Sequence, residues 1–168
     1  MKTIVLGLGN TILSDDGVGV YVARALREEL AGAADVVEAE LAGLDLLEML
    51  AGYERAVIID AIELDGEDPG SVFRLAPDDL KITPRLASFH DIDIVTALAL
   101  GERLGIEMPF EVVIYAVQVE DALTIGERCL PAVAAVMPSL VSEIAADLRG
   151  DEVVRISRSL AERNNRHA

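Results

Sequence analysis

Short apolar runs alternate with stretches of helical periodicity along this chain of 168 residues, and no other feature constrains its fold as strongly. The apolar runs have the length and composition of strands that are buried on both faces of a sheet. The alternation predicts a single three-layer α/β domain, with a mostly parallel twisted sheet of about five strands and helices on both faces. The predicted strands cover residues 2–9, 35–40, 55–61, 71–75 and 111–119, and the predicted helices cover residues 17–30, 44–51, 91–105 and 127–149.

Turn signals and a change in composition set the limits of this domain. The pairs Asp65-Gly66 and Pro69-Gly70 precede the fourth predicted strand, which is therefore expected to form an antiparallel hairpin. The domain is predicted to span residues 1–150. Residues 151–168 are rich in arginine and asparagine, and they are expected to form a partly disordered C-terminal tail.

Acidic residues dominate the charge of the chain. Thirty aspartates and glutamates against 14 lysines and arginines give a formal net charge of −16 at pH 7. Nucleic acids and anionic membranes are therefore not expected as partners, because binding to phosphates requires clustered basic residues, whereas a basic protein surface would be attracted. No apolar run approaches the roughly 20 residues of a membrane span. Since the chain has one cysteine, Cys129, and no recognisable export signal, a cytoplasmic location is predicted.

The first predicted strand runs into a glycine-rich loop that carries two adjacent aspartates. Its sequence is Gly7-Leu8-Gly9-Asn10, followed after three residues by Ser14-Asp15-Asp16-Gly17. Glycines here allow the backbone to approach whatever binds above the sheet. One carboxylate is enough to cap the next helix, so Asp15 is predicted to be the cap and Asp16 to have another task. The loop does not match the dinucleotide-binding pattern G-x-G-x-x-G, because Ile12 occupies the position of the third glycine.

Three side chains that can bind metals or transfer protons are predicted to meet at one edge of the sheet. Asp16 follows the first strand, Asp60 ends the third, and His90 precedes the third helix. Ligands of such sheets bind beyond the carboxyl ends of the strands, and two carboxylates with one imidazole suit a borderline divalent ion such as nickel, zinc or iron. The residues alone also allow structural roles: a helix cap for Asp16, a turn hydrogen bond for Asp60 and a loop contact for His90.

No serine or cysteine has an activating base that the sequence identifies. Ser14 and Ser88 lie near the predicted edge without such a partner, and Cys129 begins an apolar helix. Hydrolysis by water, activated by a metal or by a carboxylate, fits better, and Asp16 is the predicted general base. A carboxylate that binds a cation becomes a weaker base, so the two roles predicted for Asp16 compete.

The run from Gly7 to Gly19 resembles the opening signature of the hydrogenase maturation endopeptidases, which trim the C-terminus of the large subunit of nickel–iron hydrogenases. The resemblance continues, in order, through Asp60-Ala61, Ser88-Phe89-His90-Asp91, Val117-Gln118-Val119-Glu120, Gly126 and Leu130-Pro131. It covers residues 1 to 148 and implies the phosphorylase/hydrolase-like form of the α/β fold.

This resemblance implies that the enzyme recognises nickel that is already inserted in its substrate, the large-subunit precursor. The implied nickel ligands are Asp16, Asp60 and His90, the first of which is glutamate in some relatives. Substrate-binding positions are predicted at Gly9, Asn10, Gly43 and Gln118. The nickel belongs to the substrate, although other divalent ions can occupy the site in vitro. The enzyme is predicted to be a monomer or a weak homodimer.

Two other functions stay open at the level of sequence. Peptidyl-tRNA hydrolases also begin with an apolar strand and Gly-Leu-Gly-Asn, but they need a histidine about ten residues further on and a basic surface for tRNA. This chain has Tyr21 and Val22 in that region and is strongly acidic. A nickel-sensing maturation chaperone would use the same three ligands without cleaving its partner.

Overall fold

A computed structural model describes residues 1–40, 45–82, 89–152, 154–159 and 162. The strands are β1 (Thr3–Leu8), β2 (Asp35–Ala39), β3 (Arg55–Ile62), β4 (Val72–Leu75) and β5 (Glu111–Gln118). The helices are α1 (Val18–Leu30), α2 (Asp45–Leu50), α3 (Pro77–Ile82), α4 (Phe89–Arg103) and α5 (Pro131–Arg149), and a 3-10 helix (Ser14–Gly17) leads into α1.

The strands form one sheet in the order β2-β1-β3-β5-β4. All neighbouring pairs are parallel except β4 and β5, which run antiparallel. The carboxyl ends of β1 and β3 therefore lie side by side in the middle of the sheet, where connections to helices on opposite faces leave a crevice. This arrangement confirms the predicted α/β class with its mostly parallel sheet.

Two hydrophobic clusters, one on each face of the sheet, make up the core. In β3, Ala56, Ile58 and Ile62 face the cluster that includes Leu46 of α2 and Ile94 of α4. The intervening Val57, Ile59 and Ala61 face the cluster that includes Val22 of α1 and Leu140 of α5. The alternation follows from the two-residue period of a strand, and it confirms that helices cover both faces.

Helix α1 lies close to the sheet because a glycine occupies its first turn. A Cβ atom at Gly19 would lie 2.3 Å from the carbonyl oxygens of both Leu8 and Ile59. Only a residue without a side chain allows the helix to approach these two strands so closely. The start of α1 is thereby fixed at the carboxyl ends of β1 and β3.

Some predicted boundaries and pairings are corrected by the structure. The antiparallel direction of β4 is as predicted, but its partner is β5 instead of β3, because β1 and β5 already occupy both edges of β3. Helix α3 is not predicted from the sequence. Helix α5 begins at Pro131 instead of residue 127, since Pro131 suits the first helical position, where no backbone donor is needed.

The described part of the C-terminal segment pairs with the outer edge of the sheet. The amide of Arg158 donates to the carbonyl of Val72 at 2.9 Å, and the amide of Arg74 donates to the carbonyl of Arg158 at 2.9 Å. The buried carboxylate of Glu143 on α5 accepts the amides of Ile156 at 2.7 Å and Ser157 at 3.0 Å. The partly disordered tail over residues 151–168 stays a prediction, and residues 156–158 make specific contacts with the domain.

Helix α5 meets the length and apolar composition of a membrane span. This finding concerns length and composition alone, and the expectation that membranes are not partners stays a prediction. Core helices of water-soluble proteins can meet the same criterion, and Val133, Leu140 and Ile144 of α5 are buried against the sheet.

Candidate active site

The loop that follows β1 turns the Asp16 carboxylate back toward the end of that strand. Gly9 has a φ of +129°, and a Cβ atom there would lie 1.9 Å from the carbonyl oxygen of Asp16. The amide of Asn10 donates to Oδ2 of Asp16 at 2.8 Å, and Oδ1 of Asn10 accepts the amide of Ile12 at 3.0 Å. Asp16 is half-buried, so its carboxylate is oriented by the strand end and still reaches the surface.

Asp15 is fully buried and binds a different part of the chain. Its Oδ2 accepts the amides of Glu120 at 3.0 Å and Asp121 at 3.3 Å, and its Oδ1 accepts the amide of Leu130 at 2.6 Å. The prediction that Asp15 caps the helix after its own loop is therefore wrong. α1 begins without a side-chain cap, because this carboxylate points into the loop between β5 and α5.

Further hydrogen bonds join these two loops, which we call the opening loop (residues 9–17) and the β5–α5 loop (residues 119–130). The amide of Ser14 donates to the carbonyl of Gly126 at 2.8 Å, and the amide of Gly126 donates to the carbonyl of Ile12 at 3.0 Å. Oγ of Ser14 donates to the carbonyl of Thr124 at 2.9 Å. The two loops therefore form one hydrogen-bonded unit that carries Asp16.

Asp60 lies near the carboxyl end of β3, next to the strand that leads to Asp16. It pairs in register with Ala116 of β5 and is only 1% exposed. One carboxylate oxygen, Oδ1, accepts the amide of Ala61 at 2.8 Å. The strand alternation puts its side chain on the face of Ile58 and Ile62, which is the face that α2 and α4 cover.

The structure describes only some of the other predicted site residues. His90 is the second residue of α4, on the same face as Asp60, but its side chain lies outside the described part, as does Gly43. Gln118 is the last residue of β5, and its side chain is buried against the backbone of Leu64. Oε1 of Gln118 accepts the backbone amide of Leu64 at 2.9 Å. The side chains that are described include no group of three possible metal ligands. The shared metal site of Asp16, Asp60 and His90 therefore stays a prediction, as do the substrate contacts.

The thiol of Cys129 is a poor nucleophile in this environment. Burial, assisted by the negative charge of Asp15, raises its pKa to about 11. A thiol must ionise to attack a carbonyl carbon, so this group stays protonated near neutral pH. The side chain of Ser14 is buried and already donates its hydroxyl proton to Thr124, which leaves water as the better candidate for the attacking group.

The role of Asp15 in joining the two loops was not predicted from the sequence. Its three partners are backbone amides that lie 105 to 115 residues away along the chain. Backbone donors have no side-chain signature, so no residue pattern could have identified them. The one available signal is the presence of two adjacent acids where a single cap would be sufficient.

Comparison with known proteins agrees with this fold. A family model described as hydrogenase maturation protease matches residues 20–147. The chain is similar to the hydrogenase 2 maturation protease of Escherichia coli K12, with 27% identity over 166 residues that cover 94% of this chain and 97% of that one. It is also similar to the hydrogenase expression/formation protein HupD of Rhodobacter capsulatus, with 27% identity over 92% of this chain and 75% of that one.

Solved structures show the same relationship. The hydrogenase maturating endopeptidase HybD from E. coli superposes with a TM-score of 0.77 at 26% identity, covering 89% of this chain and 93% of that one. The [NiFe] hydrogenase maturation protease HybD from Thermococcus kodakarensis superposes with a TM-score of 0.67 at 29% identity, covering 88% and 99%. The chain is thus a peptidase that belongs to the hydrogenase maturation protease family.

Proposed function

We propose that this peptidase recognises nickel in the immature large subunit of a nickel–iron hydrogenase and removes the C-terminal extension of that subunit. The observation that best supports this is the pair of carboxylates at the carboxyl ends of neighbouring strands. Asp16 is oriented by the Asn10 amide and remains half-exposed, and Asp60 is buried near the carboxyl end of the neighbouring strand β3. Family membership favours this function over a nickel-sensing chaperone and over a peptidyl-tRNA hydrolase.

In this proposal the nickel arrives with the substrate and is bound by Asp16, Asp60 and His90. Two carboxylate oxygens and one imidazole nitrogen suit a borderline divalent ion, at distances of about 2.0–2.2 Å for a comparable zinc site. The hydrogen bond from Asn10 engages Oδ2 of Asp16, so Oδ1 is the oxygen that we assign to the metal. Three ligands leave coordination positions that groups of the precursor fill, and the isolated enzyme is expected to bind nickel only weakly.

Peptide hydrolysis then proceeds by attack of a water molecule on the carbonyl carbon of the scissile bond. A carboxylate accepts one proton from this water as the carbon–oxygen bond forms. The tetrahedral intermediate collapses with cleavage of the carbon–nitrogen bond, and the departing amine takes up the proton. We assign the base to Asp16: Oδ1 binds the metal, and Oδ2, which accepts the Asn10 amide with one lone pair, accepts the proton with its other.

Cleavage of a purified precursor tests this function. The protein is mixed with nickel-loaded or nickel-free large-subunit precursor, and the released C-terminal fragment is followed by mass spectrometry. We expect cleavage of the nickel-loaded form only, with a loss of at least about 100-fold in Asp16→Asn, as for removal of a general base. Asp151→Asn is the matched control, because this exposed residue comes shortly after the last residue of α5, at the end of that helix opposite to the β5–α5 loop.

The other outcomes separate the alternatives. Equal cleavage of nickel-free precursor would overturn the role of nickel, and tight binding without cleavage would favour the chaperone. Asp16→Glu is expected to retain activity if the residue acts as a ligand, since glutamate offers the same carboxylate on a longer side chain.

We also propose that the enzyme acts in the cytoplasm, as a monomer or a weak homodimer. The single cysteine supports the location, since it cannot form an internal disulfide. Cell fractionation and analytical ultracentrifugation test these two points. Recovery with a periplasmic marker, or a stable dimer at nanomolar concentration, would contradict them.

A further inference from the structure

Three exposed apolar side chains lie on the two loops that adjoin Asp16. Ile12 of the opening loop is 53% exposed, and Leu123 and Ile125 of the β5–α5 loop are each 83% exposed. The amide of Gly126 donates to the carbonyl of Ile12, so Ile12 lies beside the residue that follows Ile125. We call these three side chains the apolar ridge. Exposed apolar residues that gather next to a candidate active site mark a surface that a partner can cover.

The backbone beneath the apolar ridge is already ordered in the free protein. The carboxylate of Asp121 accepts the amides of Leu123 at 2.9 Å and Thr124 at 2.8 Å, and hydrogen bonds from Thr124 and Leu123 hold the pKa of Asp121 below its usual value. Asp15 anchors both ends of the same loop through the Glu120 and Leu130 amides. A surface fixed in this way loses little conformational entropy when it binds.

Charges around the apolar ridge indicate what kind of surface it fits. Asp16, Glu120, Asp121 and Glu127 carry negative charges on the two loops, against the single positive charge of Arg128. Charges at the rim of an interface favour a partner of opposite sign and speed its association. The matching surface is therefore apolar at its centre and basic at its edge.

We propose that the apolar ridge is the docking surface for the folded large-subunit precursor, and that it contacts an apolar, basic-edged face next to the precursor's C-terminal extension. This inference rests on the proposed function and deepens it. The extension alone would give the enzyme only a short peptide to recognise. A second contact on the two loops that adjoin Asp16 adds binding energy and selects the folded precursor.

The double variant Leu123→Ser/Ile125→Ser tests the proposal in the full-length protein. Binding of nickel-loaded precursor is measured by biolayer interferometry, and cleavage is measured by mass spectrometry. Truncation of the few residues that carry most of the binding energy of an interface weakens binding by more than about tenfold, so we expect Kd and KM of the double variant to rise by at least that factor. Once the precursor is saturating, kcat should change less than threefold, because neither residue belongs to the catalytic machinery.

Two controls make the test specific. Phe110→Ser removes an apolar side chain that is 77% exposed, but it lies before β5, at the opposite end of the strand from the ridge, and should leave Kd unchanged. Leu123→Met keeps the apolar surface and should also bind normally, which separates the loss of a contact from damage to the loop. Circular dichroism verifies that each variant is folded.

The measurements distinguish a failure of the docking surface from a failure of the proposed function. If the wild-type protein binds and cleaves the precursor and the double variant does so with the same Kd and KM, the docking surface is refuted while the proposed function stands. If the wild-type protein neither binds nor cleaves nickel-loaded precursor, both are refuted. A drop in kcat at unchanged Kd would also overturn docking, because it would show that the ridge acts on the chemical step.

Discussion

Replacing Asp15 by asparagine should destabilise this protein much more than a surface acid-to-amide change. Asp15 has no exposed surface, and its carboxylate accepts three backbone amides from the β5–α5 loop. Asparagine has nearly the same shape, so the change adds no cavity. The change removes the negative charge and replaces one acceptor oxygen of the carboxylate by an amide NH2 group, which then faces a backbone N–H of the β5–α5 loop.

The size of the effect follows from those three hydrogen bonds. A hydrogen bond to a charged group contributes about 1.5–3 kcal/mol, and a buried donor without an acceptor costs about 1–3 kcal/mol. If the amide oxygen takes the place of Oδ2, it still accepts the Glu120 and Asp121 amides, and the Leu130 amide loses its acceptor. We therefore expect Asp15→Asn to lower the free energy of unfolding by about 2–4 kcal/mol.

Urea unfolding followed by circular dichroism measures this change, with Asp121→Asn as the control. Asp121 accepts two amides through Oδ1, which an asparagine oxygen can replace, and it also accepts a hydrogen bond from the exposed Thr124 side chain. A loss below about 0.5 kcal/mol is therefore expected there, as for most surface substitutions. An Asp15→Asn protein within about 0.5 kcal/mol of wild type would refute the reasoning. So would an equal loss in both variants. Precursor cleavage by folded Asp15→Asn should also fall, because the two loops no longer hold Asp16 in place.

The remaining predictions concern three other positions. Gly9→Ala should cost about 2–4 kcal/mol of stability and most of the cleavage activity, because φ is +129° there and the new Cβ would collide with the Asp16 carbonyl; a urea midpoint equal to that of wild type would contradict this. Glu143→Ala should release residues 156–158 and speed tryptic cleavage after Arg155, whereas exposed Glu152→Ala should not; equal digestion rates would contradict it. Burial raises the pKa of Cys129 to about 11, so the thiolate forms only as the pH rises toward that value. Cys129 should therefore react with iodoacetamide at pH 8 about 100-fold more slowly in the folded than in the unfolded protein; equal rates would refute the raised pKa.

The architecture was predictable because strand and helix periodicities are local. Residues 55–61 are apolar enough to identify a central strand, and α1 was predicted to within one residue of its observed start. The partner of β4 was not predictable in this way. The turn at Asp65-Gly66 suggests a hairpin, but pairing depends on which sheet edge is unoccupied, and β5, the strand that takes the place beside β3, comes much later in the chain.

The site was predictable only as far as topology determines it. The expectation that parallel strands end at a common edge identified Asp16 and Asp60 as candidates. In the structure Asp16 follows β1, and Asp60 lies near the carboxyl end of the neighbouring strand β3. The roles of the two adjacent aspartates could not be separated by sequence, because both satisfy the same preference at a helix start. Tertiary hydrogen bonds decide between them: Asp15 turns inward to the Leu130 amide, and Asp16 turns to the Asn10 amide and the surface.

We propose that Asp16, Asp60 and His90 together bind the nickel of the precursor, and a comparison of affinities tests this proposal most directly. Kd is measured for nickel-loaded and nickel-free precursor, with the wild-type protein and with Asp60→Asn. We expect nickel to tighten binding to the wild-type protein by at least about tenfold, equivalent to about 1.4 kcal/mol. Most of this gain should be lost in the variant, while binding to nickel-free precursor is unchanged. Equal affinity of the wild-type protein for both forms of the precursor would contradict a shared nickel site.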